Sequence, residues 1–368
     1  MTITADDTRF MARALQLARK GLYTTDPNPR VGSVVVKDGT IIGEGWHERA
    51  GAPHAEVNAL QKVGANARGS TVYVTLEPCS HQGRTPPCAN ALVEADVARV
   101  VAAMEDPNPR VSGKGFDILR TAGITVDTGL LQGEAEALNP GFISRMRRQR
   151  PFVRVKLAVS LDGRTAMASG ESKWITGEAA RHDVQRLRAR SSAVLTGVGT
   201  VLNDDPSLTV RDFPIVRQPL RVVVDSNLSM PEHARMFGLE GQTLVVTASE
   251  DGDRSEALVN AGAEVLCLPA GHQKVDLPRL MAHLAARDVN ELLVEAGAVV
   301  CGALLEAGLI DELLVYMAPH IMGNQARGMF HLPGLDEMAQ RVALRMVDVR
   351  AVGDDWRITA RPEYQSGN

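Results

Sequence analysis

Short apolar runs of strand length recur along the whole chain, with helical patterns between several of them, and this restricts the fold more than anything else. In the first part "VGSVVV" (31–36), "IIGEG" (41–45), "TVYVTL" (71–76) and the strand pattern from Arg99 to Met104 have this character. Phe10, Ala14, Leu17 and Ala18 fall on one face of a helix from Asp6 to about Lys20, "HAEVNALQKVG" reads as a helix that stops at Gly64, and another lies near 89–95. "KDGT" carries the Asp-Gly turn that joins 31–36 to 41–45 as a hairpin. The order αββαβαβ predicts a mixed sheet with helices on both faces.

A polar, basic stretch, "EAEALNPGFISRMRRQRP" (134–151), interrupts the pattern and reads as a connector. Beyond it "FVRVKLAV", "AVLTGV", "LRVVVD", "TLVVTA", "AEVLCL" and "ELLVEAG" begin a second α/β pattern with a largely parallel sheet, completed by "LLVYMAP" and "RITARP". "LLVYMAP" fits either an interface edge strand or an inner one. A length of 368 residues favours two domains, placed at 1–147 and 148–368.

Composition narrows the setting. The net charge of −4 gives no electrostatic reason to expect nucleic acid or an anionic membrane. Four cysteines are too few for a disulfide framework at this length. The N-terminus lacks the apolar core of a secretory signal, and no stretch reaches the length of a spanning helix. The expected address is the cytoplasm.

His54-Ala55-Glu56 opens the second helix, and "LEPCSHQGRTPPC" places Cys79 and Cys88 at a strand–helix junction. One His and two Cys make three zinc ligands, and a fourth position left to water marks a catalytic rather than structural zinc. Zinc acidifies that water, and Glu56, two residues from His54, is suited to carry its proton to a leaving amine. His-x-Glu with Pro-Cys…Cys is the signature of zinc deaminases, which hold two residues between the cysteines; here the gap holds eight. Taken singly, a His-x-Glu is surface chemistry and a lone Cys is core filler.

"PNPRVG", "HAEVNAL", "LEPCSHQGRTPPC" and "DPNPRVSGKG" together resemble the bifunctional deaminase–reductases of riboflavin biosynthesis, over nearly all of the chain. The long gap with "TPPC" separates that family from nucleoside and transfer-RNA deaminases. The resemblance implies a cytidine-deaminase-like first domain that removes the C2 amine of 2,5-diamino-6-(5-phosphoribosylamino)pyrimidin-4-one. It also explains why "DPNPRV" occurs twice, at Asp26–Val31 and Asp106–Val111: the contexts differ, so the repeat is not a duplication, and both loops border one zinc pocket. Asn28, Asp106 and Asn108 are then candidates for hydrogen bonds to the substrate, the alternative being that they only stabilise turns. His81, Arg84 and Thr85 are candidates for its phosphate; His81 also has the chemistry of a fourth zinc ligand, a place the family pattern gives to water.

In the second half no Gly-x-Gly-x-x-Gly follows the first strand. "EAGAVVCG" pairs a strand end with a helix start whose backbone N–H groups suit a pyrophosphate, a weak signal alone. The resemblance implies a dihydrofolate-reductase-like domain that uses NADPH to turn the ribosyl group into a ribityl chain. It places Ala158, Trp174, Thr200, Asp204, Ser226 and the run Gly297, Ala298, Val299, Val300, Cys301, Gly302 and Ala303 at the cofactor. It places Ser172, Arg188, Leu208, Arg211 and Glu295 at the substrate, Arg188 and Arg211 being suited to its 5′-phosphate. Lys156 and Asp162 are candidates for proton delivery or for orienting the sugar, Asp162-Gly163 reading equally well as a plain turn. Thr176 reads as the N-cap of the helix that follows. The expected partners are the small-molecule phosphoribosylaminopyrimidine substrate and further copies of the same chain, with no nucleic acid and no membrane. The rival readings are a zinc deaminase whose C-terminal half is a non-catalytic binding module, and a zinc-stabilised scaffold.

Overall fold

The computed structural model describes residues 3–80, 87–109, 111–213 and 215–364. The chain divides into two compact units, residues 1–149 and 150–368. The first runs α1 (Ala5–Ala18), β1 (Gly32–Lys37), β2 (Thr40–Trp46), α2 (Ala55–Val63), β3 (Thr71–Val74), α3 (Cys88–Glu94), β4 (Arg99–Ala102), α4 (Lys114–Thr121), β5 (Thr125–Thr128), α5 (Gln132–Leu138) and α6 (Pro140–Arg148). Its sheet has the order β2-β1-β3-β4-β5. β1 is antiparallel to both β2 and β3, while β3, β4 and β5 run parallel. Val34, Val35, Val72, Val100 and Val101 are fully buried, so the central strands are apolar on both faces, as a sheet covered by helices requires.

The stretch 134–151 is not a linker. Most of it is α5 and α6, which pack onto the first unit: Ala135 and Phe142 join its core, with Ile143 and Met146 against it. These apolar residues recur at helical spacing inside a basic sequence, and the abundance of arginine hides them. Fully burying a side chain such as Phe142 stabilises by roughly 1.5–3 kcal/mol, enough to hold a helix of this length in place.

The second unit runs β6 (Phe152–Ser160), β7 (Arg164–Ala166), α7 (Glu178–Arg190), β8 (Ala193–Gly197), α8 (Val198–Asp204), β9 (Leu220–Val224), β10 (Thr243–Thr247), α9 (Gly252–Asn260), β11 (Glu264–Cys267), α10 (Leu277–Ala286), β12 (Glu291–Val294), α11 (Ala298–Glu306), β13 (Glu312–Ala318), β14 (Arg327–Gly328), β15 (Ala343–Val352) and β16 (Asp355–Glu363). The main sheet has the order β11-β10-β9-β8-β12-β6-β13-β16-β15, and β7 pairs with β14. It is parallel from β11 to β13 and antiparallel over the last two strands. "LLVYMAP" is therefore an inner strand, and the edge belongs to β15. β12 returns to insert between β8 and β6, which brings the carboxyl ends of three strands from distant parts of the chain side by side. Ligands of open α/β sheets bind at such ends.

One cap differs from expectation. α7 starts after Gly177 with no side-chain cap, and Gly177 N donates to Asp355 Oδ2 at 2.8 Å. Thr176 lies one position too early; its carbonyl instead accepts from Arg181 Nη1 at 2.7 Å.

Candidate functional site

In the first unit the segment after β3 and the start of α3 meet the start of α2. His54 is the N-cap of α2, Glu56 lies in its first turn, and Cys88 is the first residue of α3. One ligand atom from each of His54, Cys79 and Cys88 lies within 4.8 Å of the others. His54 Nδ1 is 3.3 Å from Cys88 Sγ and 3.6 Å from Cys79 Sγ, and Cys88 N donates to Cys79 Sγ at 3.3 Å. Glu56 is 3% exposed.

The electrostatics show what such a cluster lacks. A hydrogen bond from Cys88, and another from His54, pull the Cys79 thiol down to about 4. The same hydrogen bond, with burial and the charge of Glu56, pushes Cys88 up. Burial, and then the Cys79 charge, pushes Glu56 up to about 7. Negative charge on the second thiol and the carboxyl is thus opposed where no positive charge stands among them. A dication among these atoms removes that cost, and one nitrogen with two sulfurs is a zinc donor set with a coordination place left over. The residues present fit zinc.

Both "DPNPRV" loops reach this cluster, by different routes. In the first, Asn28 Nδ2 lies 3.1 Å from His47 Nε2, and His47 Nδ1 lies 3.1 Å from the Pro53 carbonyl. The His47 ring meets His54 edge-on, with centroids 5.3 Å apart, and burial holds its pKa down. A neutral ring that donates from Nδ1 and accepts at Nε2 satisfies both contacts. The loop is pinned from the far end of the unit: Arg30 N donates to Asn139 Oδ1 at 2.8 Å, and Asn139 Nδ2 donates back to the Arg30 carbonyl at 3.0 Å. In the second loop Asp106 Oδ1 accepts from Asn108 N at 2.8 Å. Burial lifts the Asp106 carboxyl to about 7, with Glu77 and Cys79 adding to the effect. His81, Arg84 and Thr85 lie outside the described residues.

Two residues near this cluster are not apparent from the sequence. His47 follows β2 directly and gives no local signal. Glu77 is 3% exposed, stands inside "LEPC", and accepts hydrogen bonds from Asp106 N, Gly113 N and Gly115 N. An acid at a strand end just before Pro-Cys is the signal that could have found it.

In the second unit Glu295 follows β12. Its Oε1 accepts from Arg188 Nε at 2.6 Å and its Oε2 from Arg188 Nη2 at 3.0 Å. Lys156 Nζ, from β6, is 3.8 Å from the same carboxylate. Although burial opposes it, the charges of Arg188 and Lys156 hold Glu295 down at about 2, while burial pulls Lys156 down. Arg188 also donates to the Thr209 carbonyl at 3.0 Å, so its fork is spent inside the protein. Arg211 is exposed, with its backbone N donating to Gln185 Oε1 at 2.9 Å and no side-chain partner among the described residues. Leu208 is buried nearby in sequence with φ at 50°, and Ser172 is half-buried.

The residues expected at the cofactor separate into two sets. Trp174 is 72% exposed, with the Arg181 guanidinium 4.8 Å over its ring, so it is not core. Its neighbour Lys173 pairs with Asp204 Oδ1 at 3.4 Å, which brings the Trp174 segment to the end of α8, the helix that carries Thr200. Ala158 is half-buried on β6, and Ser226 lies just beyond β9. α11 begins after Gly297 with no side-chain cap, and its first-turn N–H groups stand at the end of β12. Ala298, Val299, Val300 and Ala303 keep some exposure, but Cys301 and Gly302 face inward. Cys301 Sγ lies 3.4 Å from the Ala296 carbonyl, and a Cβ on Gly302 would sit 2.1 Å from the His331 carbonyl oxygen. An uncapped helix start beside half-buried strand ends fits a dinucleotide phosphate. Asp162 is engaged elsewhere. It accepts from Ser160 Oγ at 2.5 Å, Met322 N at 3.1 Å and Gly323 N at 2.8 Å, and so clamps the segment after β13.

Comparison with known proteins agrees with this geometry. Residues 4–104 match the model of the cytidine and deoxycytidylate deaminase zinc-binding region, and residues 151–358 match the RibD C-terminal domain. The riboflavin biosynthesis protein RibD of Escherichia coli is 51% identical over 362 residues, covering 95% of this chain and 97% of that protein. The same protein of Haemophilus influenzae is 48% identical over 376 residues, covering 99% of each. Among solved structures, Acinetobacter baumannii RibD (form 1) superposes with a TM-score of 0.91 at 45% identity, over 98% of this chain and 99% of that one. The deaminase/reductase from Thermotoga maritima gives 0.85 at 35% identity, over 96% and 98%. A reductase-domain match across the second unit does not favour a non-catalytic binding module there. With both halves matched and relatives aligned from end to end, the chain belongs to the RibD family of bifunctional riboflavin-biosynthesis deaminase–reductases.

Proposed function

We propose that residues 1–147 hydrolyse the C2 amine of 2,5-diamino-6-(5-phosphoribosylamino)pyrimidin-4-one and that residues 148–368 reduce the ribosyl group of the product to a ribityl chain. The observation that carries the reading is the His54, Cys79 and Cys88 cluster with the buried Glu56 beside it. Zinc, when bound by those three side chains, makes hydroxide available near neutral pH. Glu56 takes the proton of the attacking water and returns it to the departing amine, so that water enters, ammonia leaves and a carbonyl remains. Asn28, Asp106 and Asn108 hold the ring and ribose.

In the second unit the sugar opens to an imine-like carbon at C1, and NADPH, when bound, supplies the hydride. Arg211 meets the 5′-phosphate with its unspent guanidinium. Arg188 fixes the Glu295 carboxylate, which orients the sugar, and Lys156 beside it holds a proton near the reacting carbon. Leu208 and Ser172 complete the wall. The cofactor lies along Ala158, Trp174, Thr200, Asp204 and Ser226 with its phosphates at Gly297–Val300.

The enzyme acts in the cytoplasm, where its four free cysteines stay reduced. No helix among the described residues is long and apolar enough to cross a membrane. The enzyme assembles as a homo-oligomer. β15 is exposed over nearly its whole length, with Leu344, Met346 and Val349 at 48%, 53% and 52%, and Trp356 on β16 joins them. Single chains rarely leave so long an apolar strand uncovered.

The test follows ammonia release and NADPH oxidation in one sample, with and without zinc chelation. Zinc-dependent ammonia release followed by NADPH consumption is the expected result. Ammonia without NADPH loss removes the second activity, and neither signal from zinc-loaded protein removes the substrate.

A further inference from the structure

The second "DPNPRV" loop carries two of the residues proposed to hold the substrate, and both of its ends are fastened to one side chain. Glu77 Oε2 accepts from Asp106 N at 3.0 Å, where the loop leaves the strand region, and from Gly113 N at 3.0 Å, where the loop enters α4. Glu77 Oε1 accepts from Gly115 N at 2.9 Å. Gly113 is the N-cap of α4, has φ at 79°, and offers no side chain to cap the helix. Glu77 does that work from the segment after β3, accepting from the N-cap N–H and from the N2 N–H that a Ser or Asp at the cap would itself satisfy. A carboxylate there also suits the positive end of the helix.

The same residue is tied to the metal cluster through the backbone. Glu77 N donates to the Met104 carbonyl at 3.0 Å, and Cys79 follows two residues later in the chain. A Cβ on Gly115 would lie 2.0 Å from the Pro78 carbonyl oxygen, so the start of α4 is pressed against the residue that precedes Cys79. Among the described residues, the Glu77 side chain is thus a direct link from both ends of the loop to the segment that carries Cys79.

We propose that Glu77 is the positioning residue of the deaminase: it sets loop 106–113 at the height above the zinc cluster at which Asp106 and Asn108 meet the substrate. The proposal rests on the reading that this loop binds substrate. Three charge-assisted hydrogen bonds to one buried carboxylate make the arrangement stiff. An amide in its place keeps the shape but turns an N–H₂ towards N–H donors, which leaves at least one buried donor unmatched.

The experiment uses the full chain carrying Glu77→Gln, with zinc content, deaminase KM and kcat, and reductase turnover of the deaminated intermediate measured on one preparation. The reductase serves as an internal check on folding, and the wild-type chain checks the substrate: if wild type releases no ammonia, the functional reading fails and Glu77 is not at issue. The expected result is a rise in KM of about tenfold or more with zinc content and reductase turnover unchanged. Asn108→Ala, which raises KM in the wild-type background, has a smaller effect in the Glu77→Gln background, because the loop is already displaced. An unchanged KM overturns the proposal. So does loss of zinc in step with activity, which makes Glu77 a support of the metal site alone, and so does full additivity with Asn108→Ala.

Discussion

Each unit gathers a buried cluster of ionisable side chains, and the two clusters carry opposite balances of charge. In the first, two thiols and the Glu56 carboxyl crowd together in a buried place, so burial and neighbouring negative charge oppose their ionisation until a cation joins them. In the second, Glu295 is held ionised because Arg188 and Lys156 already stand against it. The first cluster is unfinished without a cation from outside. The second carries its own counter-charges, and the helix start that suits the dinucleotide lies beside it on bare backbone. A site completed by a metal and a site completed by an organic hydride donor call for these different preparations.

The largest expected effect breaks the first cluster and spares the second. Glu56→Gln keeps the shape and removes the proton carrier, so ammonia release falls by about 10²–10⁴-fold, the usual worth of a general acid–base group. NADPH oxidation with the deaminated intermediate stays at the wild-type rate. A stopped ammonia assay with a coupled absorbance trace reads both. If ammonia release survives, Glu56 is not the carrier and the first half of the contrast is lost.

Glu295→Gln breaks the second cluster instead. It leaves Arg188 and Lys156 facing no anion, and removing one member of a buried charged set costs about 3–5 kcal/mol. Urea unfolding of the second unit moves down accordingly, NADPH oxidation is lost, and zinc-dependent deamination persists. The sign of the pH effect follows from the depressed pKa. Glu295 at about 2 lies below its ordinary value of 4.5, so its stabilisation is complete above about pH 4.5 and is lost as pH falls towards 2. The acid-unfolding curve of Glu295→Gln is therefore flatter than that of wild type across this window. Identical curves would mean that the carboxylate is not clamped as described.

Metal removal sharpens the contrast from the other side. A ligand present at a hundred times its dissociation constant stabilises by about 2.7 kcal/mol, so chelation lowers the melting of the first unit and leaves the second where it was. Calorimetry of the chelated and zinc-restored protein separates the two transitions. A shift in both would show that the second cluster also depends on the cation.

The clusters differ as well in how far they can be read from sequence. His54, Cys79 and Cys88 are uncommon residue types at the ends of recognisable elements, and their chemistry admits few other uses. Arg188 reads by its type as a phosphate ligand, whereas its partners Glu295 and Thr209 are 107 and 21 positions away, and no local pattern announces such pairs. Asn139 holding Arg30 is another contact of this kind, made across 109 positions. α5 and α6 are hidden by arginine, and β15 by an irregularity. Its apolar side chains alternate through Leu344 and Met346, and then the register shifts between Met346 and Asp348, so the period of two is broken in mid-strand. The doubled "DPNPRV" shows the limit most plainly. Six identical letters form two loops, one held by His47 and Asn139 and the other by Glu77, because anchoring belongs to the surroundings rather than to the loop.

That difference in anchoring supplies the smallest test. Outside the reacting groups both sites are finished with protein hydrogen bonds: Asp162 clamps Met322 and Gly323 in the second unit, and Asn28, His47 and Pro53 form a chain beside His54 in the first. Asn28→Ala removes the donor to His47 Nε2 and leaves the pinning of Arg30 by Asn139 in place, so the loop stays and one contact goes. A typical hydrogen bond contributes about 1 kcal/mol, which predicts a KM for deamination higher by roughly fivefold, with zinc content and reductase turnover unchanged. Asn108→Ala makes the matched measurement on the second loop, where the Asp106 turn is closed by the Asn108 backbone N–H and survives loss of the side chain. Similar rises in KM from the two variants mean that both loops touch the substrate from opposite routes. A rise from Asn108→Ala alone assigns Asn28 to holding His47 against the zinc ligand, and the first loop then belongs to the metal side of the site.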